Sequence, residues 1–329
     1  MKADVFLREK EKYFENNIFF LYGEEYYLRC AAKKALLEGL DMEPRELNYT
    51  VLPPKTGVEE LIAISEQLPF LGEHRVVLWE ESELLQKGDP GKLTEYLPHI
   101  NGTTKLIITA SGTPDKRRAF YKLLAKTACV IEADPLKPAE LAKWVVAHGK
   151  AMGLSVTAAA ANALIEISGR DMGVLENELQ KLKYAGRKRP ERGDIEEIAS
   201  KSGEYNAFLF HEHMLKHRYQ EAFRILAEIR ANEKSFVPLV ALLASKFSPM
   251  YMAKTCLNAG MGPDRAAEEL RARLKMHPFA AKKAVEECAY FKIGQLKNAI
   301  RQLGAYDLAL KTGGANPGVE ALVARLYGA

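Results

Sequence analysis

The sequence predicts an α/β domain followed by an all-α region, and two observations carry that expectation. Up to Pro138, short β-rich apolar runs alternate with stretches of helical period, the pattern of a parallel sheet with crossover helices. Beyond Pro138 the strand pattern fades and apolar residues recur at three- and four-residue spacing instead. A third observation sets the scale: 329 residues exceed one ordinary core and call for two or three domains.

The elements follow in order. Ile18–Tyr22 (IFFLY) reads as a buried strand, then Gly23, then a helix over Tyr26–Leu40. Leu47–Leu52 reads as a second strand. Val58, Leu61, Ile62, Ser65 and Leu68 line one face of an amphipathic helix that Pro69 breaks. Arg75–Trp79 (RVVLW) and Lys105–Thr109 (KLIIT) are continuous apolar strands, as central parallel strands are. Ser111–Asp115 is a turn, leading to a helix that carries Lys116, Arg117 and Arg118, and Val130–Ile131 is a short fifth strand. Asp134–Pro138, with two prolines, reads as a linker. Helices then cover Glu140–Met152, Thr157–Ser168, Gly173–Ala185 and Asp194–Ser200, and Lys201–Tyr205 is a polar break. In the last region Leu239, Leu242, Leu243, Phe247, Met250 and Tyr251 form an apolar face, as do Leu303, Tyr306 and Leu310, with a loop at Gly260–Pro263. The expected domains are residues 1–138, 139–204 and 205–329.

Composition excludes several classes. At 47% hydrophobic and 27% charged residues the chain folds throughout. No apolar run reaches the roughly 18 residues of a membrane span, and the charged, amphipathic start is not a secretory signal. Cys30, Cys129, Cys256 and Cys288 lack zinc-ligand spacing and read as reduced, packed thiols. Charge is uneven: residues 1–140 hold 19 Lys and Arg against 23 Asp and Glu, and residues 141–329 hold 28 against 20. A basic rear is compatible with work near nucleic acid, and equally with scattered solvated charge.

An α/β domain, a small helical lid and a helical bundle, in that order, resemble an ATPase module of the clamp-loader type (AAA+-like) with its oligomerising collar. The first strand of such a module leads into a P-loop, G-x-x-x-x-G-K-S/T, whose backbone N–H groups and Lys hold phosphates. Here it leads into Gly23-Glu24-Glu25-Tyr26-Tyr27, with two carboxylates where a triphosphate would sit. Val76–Glu81 resembles a Walker B strand, but without a P-loop Glu80 and Glu81 read as exposed strand-end acids. Gly169–Gly173 lies where clamp-loader ATPases read G-D-x-R, with Gly173 in place of the Arg. The shape of a motor is present and its parts are not.

From Phe19 to the C-terminus the chain resembles the DNA polymerase III delta-subunit family. The resemblance is carried by Phe20-Leu21-Tyr22-Gly23-Glu24-Glu25, Leu68-Pro69-Phe70-Leu71-Gly72-Glu73-His74-Arg75 and Glu140-Leu141-Ala142-Lys143-Trp144-Val145. Further along it is carried by Leu175–Leu182, His277-Pro278-Phe279-Ala280-Ala281-Lys282-Lys283 and Asp307–Gly313, all in the family's order and spacing. It implies a non-hydrolysing clamp-loader subunit that binds and opens the sliding clamp (the beta subunit) during DNA replication. Such a subunit is not an enzyme by itself, but part of a DNA-directed DNA polymerase holoenzyme. It also implies a bacterial cytoplasmic location, gamma/tau- and delta-prime-type partners met through the collar, primed DNA reached only within the complex, and no membrane. No catalytic residue, cofactor or metal is implied.

The site residues the resemblance implies are Phe70 and Leu71, an exposed pair that enters a pocket on the clamp. The residues alone leave a second reading open, since apolar side chains between a helix and a strand are commonly core. Other constellations read as structural. His211, His213 and His217 suggest a metal site without an evident third ligand, and surface histidines fit better. Lys311-Thr312-Gly313 reads as a helix end, with Gly313 as the cap and Asp307 pairing with Lys311. Lys116–Arg118 and the basic loop Arg187, Lys188, Arg189 and Arg192 read as solvated charge or as phosphate contacts. The alternative function is a free-standing DNA-binding adaptor on an inactive AAA+ scaffold.

Overall fold

The computed structural model describes residues 1–81, 91–232, 236–313 and 318–328, and the chain divides into two compact units, Met1–Leu141 and Ala142–Ala329.

The first unit opens with helix α1 (Ala3–Glu9), which the sequence analysis left unassigned. Then come β1 (Ile18–Gly23), α2 (Tyr26–Gly39), the single turn α3 (Arg45–Asn48), β2 (Tyr49–Leu52), α4 (Val58–Ser65) and β3 (Arg75–Trp79). α5 (Lys92–Tyr96), β4 (Thr104–Ser111), α6 (Ala119–Thr127) and β5 (Cys129–Glu132) complete it. The five strands form one parallel sheet in the order β2-β3-β4-β1-β5. β1, β3 and β4 lie inside the sheet and are buried almost end to end, which is why their sequences are unbroken apolar runs. Alternate residues of each strand share a face. Ile18, Phe20 and Tyr22 join Val77, Trp79, Leu106 and Ile108 in one cluster, closed by Leu61, Leu93, Phe120 and Leu124 from the helices. Each such side chain contributes about 1.5 to 3 kcal/mol on burial. Trp79, the departure from a Walker B strand, is fully buried there and donates its Nε1–H to the Pro53 carbonyl at 3.2 Å.

Two boundaries differ from expectation. Leu47 and Asn48 belong to α3 rather than to the second strand, because both of their N–H groups donate back to the Pro44 carbonyl and the Tyr49 N–H donates to that of Arg45. Lys116, Arg117 and Arg118 precede α6 instead of riding on it: the Asp115 side chain accepts from the Arg117 N–H at 3.0 Å and holds a turn.

Helix α7 (Pro138–Ala151) carries the division between the units. α8 (Ala158–Ser168), α9 (Met172–Tyr184) and α10 (Arg192–Ile198) follow, with Thr157 and Asp171 capping the first two through their side-chain oxygens. The last stretch holds α11 (Gly203–Leu215), α12 (Tyr219–Asn232), α13 (Val237–Asn258), α14 (Pro263–Leu274), α15 (Pro278–Glu287), α16 (Ile293–Thr312) and α17 (Val319–Tyr327). Leu239, Leu243, Phe247 and Met250 of α13 meet Leu303 and Tyr306 of α16 in a core that runs from Ala207 to Leu326. Gly313 takes the left-handed cap position at φ 71°, and Lys311 pairs with Asp307 at 2.7 Å, as the sequence suggests. The four cysteines are free thiols, with Cys129, Cys256 and Cys288 buried. Among the described residues no helix is long and apolar enough to cross a membrane.

Candidate functional site

Phe70 and Leu71 stand on the loop between α4 and β3, at the N-terminal edge of the sheet. Helix α4 stops at Ser65, short of Pro69, so Leu68 leaves the helical face assigned to it and is 70% exposed. Phe70 is 55% and Leu71 87% exposed. The core reading of this pair therefore fails, since a core side chain is one that has left water.

The loop is held by Asn48, whose side chain is buried. Asn48 Oδ1 accepts from the Phe70 N–H at 2.7 Å, and Nδ2 donates to the Phe70 carbonyl and to the Glu43 carbonyl, each at 3.0 Å. One amide thus satisfies both backbone groups of Phe70, as a neighbouring strand would. Gly72 packs against the same place: a Cβ there would stand 2.3 Å from Glu43 O and 2.8 Å from Asn48 Nδ2, so no side chain fits. Leu71 takes a φ of 53°, in the left-handed region that costs a residue with a Cβ about 1 to 2 kcal/mol.

Beneath the loop, the buried Arg75 guanidinium donates to Ile64 O at 3.1 Å, Leu47 O at 3.1 Å and Thr50 Oγ1 at 3.2 Å. Burial alone lowers its pKa, because the low-dielectric site disfavours the cation. Thr104 Oγ1 donates to Ser65 O at 2.7 Å and so caps the last turn of α4. The polar groups of this corner face inward, and three large apolar side chains face out.

The sequence reading missed Asn48 and Gly72 as the supports. Asn inside a run taken for a strand is out of place, and that was the available signal.

The C-terminal edge of the sheet is built differently. Gly23 ends β1 at φ 143°, with Ala133 O only 2.1 Å from where a Cβ would be. The Glu25 N–H donates to Ala133 O at 2.8 Å, and the Glu25 side chain accepts from Tyr27 N–H at 3.2 Å, capping α2 with its own carboxylate. Arg29 donates to the Gly23 carbonyl and lies 3.6 Å from Glu81. Lys33 Nζ reaches Glu80 Oε1 at 2.5 Å. Burial is the largest single influence and works against the Lys33 cation, but the hydrogen bond and the charge of Glu80 together outweigh it and hold the ammonium above its usual pKa. Glu80 and Glu81 are thus paired rather than free strand-end acids.

Several of the remaining basic candidates sit in local pairs. Lys116 meets Glu132 at 2.9 Å and Arg117 meets Asp115 at 3.0 Å. Arg187 meets Asp194 at 3.1 Å, and Arg192 meets Glu166 at 3.1 Å and Glu196 at 2.7 Å. His211 is not on the surface as expected; it is buried, with Nδ1 2.5 Å from Tyr327 Oη and Nε2 3.6 Å from Glu287. His217 lies beyond the end of α11 at φ 55°, so it does not share a helical face with His213. Among the described residues no three potential metal ligands cluster.

Two family models match the chain. One, described as "DNA polymerase III, delta subunit", covers residues 19–134, and one for the C-terminal domain of that subunit covers residues 204–326. The chain is 24% identical over 310 residues to DNA polymerase III subunit delta of Bacillus subtilis, covering 90% of this chain and 88% of that protein. It is 24% identical over 270 residues to the probable delta subunit of Aquifex aeolicus, covering 78% and 76%. The solved structure of the Bacillus subtilis DNA clamp loader delta protein superimposes with a TM-score of 0.61 at 22% identity, over 99% of both chains. The expected fold class therefore holds: a parallel-sheet α/β domain joined to all-helical parts.

Proposed function

Because this chain belongs to the family of DNA polymerase III delta subunits, clamp-loader components in DNA replication, we propose that it binds the sliding clamp through Phe70 and Leu71 and opens it without hydrolysing ATP. The observation that carries this reading is the exposure of both side chains on a loop anchored by Asn48, which engages both backbone groups of Phe70. A rigid loop with apolar tips suffers little ordering cost on binding, so more of the transfer free energy becomes affinity. Each side chain that enters a preformed apolar pocket contributes about 1.5 to 3 kcal/mol. Leu68, exposed beside them, enlarges the same patch. If the pocket adjoins the clamp's subunit interface, preferential binding to the sprung form opens the ring, and no chemical step is required of this chain.

The ion pairs of Arg29 and Lys33 with Glu81 and Glu80 support the absence of hydrolysis here, since they engage the acids that a magnesium ion would need. Hydrolysis then belongs to gamma/tau-type partners, met together with a delta-prime-type subunit through the helices of residues 205–329. Primed DNA is reached only within that assembly. Residues 139–204 form a separate lid in this reading. The hydrophobic core that begins at Ala207 supports the boundary.

The test is binding of the purified full chain to its sliding clamp without nucleotide, beside the Phe70→Ala/Leu71→Ala variant. Tight binding that the variant weakens by about a hundredfold or more is expected from the loss of two buried side chains. Equal binding by the variant, or none by the folded wild type, overturns the assignment.

A further inference from the structure

The helical unit contains a cavity of about 680 Å³, within the usual size range of ligand pockets. Phe208 of α11, Leu242 of α13, Met276 and Phe279 give it apolar walls, and Lys246 and Lys283 bring charge into it. The two ammonium groups converge on one ring: Lys246 Nζ lies 5.2 Å and Lys283 Nζ 4.3 Å from the Phe208 centroid. The ring face attracts both cations, which repel each other across it.

Lys283 has a partial partner in Glu287 at 3.8 Å, but that carboxylate also faces His211. Lys246 makes no close ion pair among the described residues; burial lowers its pKa, and the charge of Glu287, which lines the same cavity, offsets that only in part. Two lysines that share one carboxylate, itself also engaged by His211, leave positive charge in a largely apolar cavity, and that is a site for an anion.

Two further features narrow the occupant. Pro249 lies inside α13 and has no N–H, so the Ser245 carbonyl lacks its helical donor, and both residues line the cavity. An acceptor in that position suits the N–H of a peptide and disfavours a phosphate. Glu166, Glu204 and Glu287 line the cavity alongside Arg170 and the two lysines, so a long acidic run is repelled where a single carboxylate is not. At the rim stands Phe279, 72% exposed at the start of α15, where His277 caps the helix by accepting from its N–H.

We propose that this cavity docks a short peptide segment of a partner protein bearing one carboxylate beside a large apolar side chain. The carboxylate sits on Lys246 and Lys283, and the apolar group packs against Phe208 and Phe279. The proposal gives a role to the His277–Lys283 stretch, whose Phe and second Lys both face the cavity.

Fluorescence anisotropy of a fluorescein-labelled Leu-Phe-Asp peptide titrated with the full chain at low salt tests it. Saturable binding is expected, weakened about tenfold or more by Lys246→Met/Lys283→Met, which keeps the apolar stems and removes the charges. Phe279→Ala, at an exposed position, weakens it about threefold to tenfold and leaves the melting temperature unchanged. Should the double variant fail to fold, Phe279→Ala and displacement by unlabelled peptide decide the question. Unchanged affinity in the folded variants, no saturation up to about 1 mM chain, or displacement by inorganic phosphate as effective as by unlabelled peptide overturns it.

Discussion

The C-terminal and N-terminal edges of the sheet are built with opposite use of charge. At the first, Arg29 and Lys33 meet Glu81 and Glu80, and Glu25 caps its own helix. At the second, Asn48 and Arg75 turn the polar groups inward, and Phe70 and Leu71 are left in water. Open α/β sheets bind ligands in the crevice outside the carboxyl ends of their strands. In this chain that crevice is occupied by the chain's own ion pairs. The contrast teaches how the two edges of one sheet can be made self-sufficient or left open to a partner. Ion pairs can be completed within one chain, whereas an apolar pair in water is completed only by a second molecule.

The comparison breaks most readily at Asn48. Asn48→Ala leaves the Phe70 N–H, the Phe70 carbonyl and the Glu43 carbonyl without their partner, and is expected to destabilise the first unit by about 2 to 4 kcal/mol. Denaturant melts measure the loss, and clamp affinity falls with it because the loop no longer holds the pair. A stability unchanged within error shows that the loop is held by something else.

Leu71→Gly sharpens the contrast between stability and binding. It relieves the left-handed φ of 53°, so stability rises by up to about 1 kcal/mol, while clamp binding weakens by about tenfold or more. A parallel fall in both would mean that Leu71 packs within the chain.

The smallest effect is expected at the charged edge. Lys33→Met removes a partly exposed pair and costs no more than about 1 kcal/mol, with clamp affinity unchanged. Because the Lys33 pKa is raised above 10.5 in the folded chain, its contribution is fully present below that pH. It is lost as the pH rises through the folded value, so wild-type and variant melts converge in strong alkali.

Much of the fold was legible beforehand. Continuous apolar runs at Ile18–Tyr22, Arg75–Trp79 and Lys105–Thr109 became the buried inner strands, because only strands covered on both faces read that way. In the second half the helical run beginning at Thr157 and the cap at Gly313 were both legible. The end of α4 was misplaced because Leu68 matched the helical period while the backbone had already turned. His211 was misjudged because polarity alone does not reveal a buried partner such as Tyr327.

Local sequence determined the elements, the missing P-loop and the presence of an apolar pair after Pro69, since propensity, period and motif spacing are properties of neighbouring residues. Only the tertiary structure decided that this pair is exposed. Its orientation depends on Asn48, far from it along the chain, and on Gly72 fitting beneath Glu43. Burial is a property of what surrounds a side chain, and long-range hydrogen bonds set those surroundings.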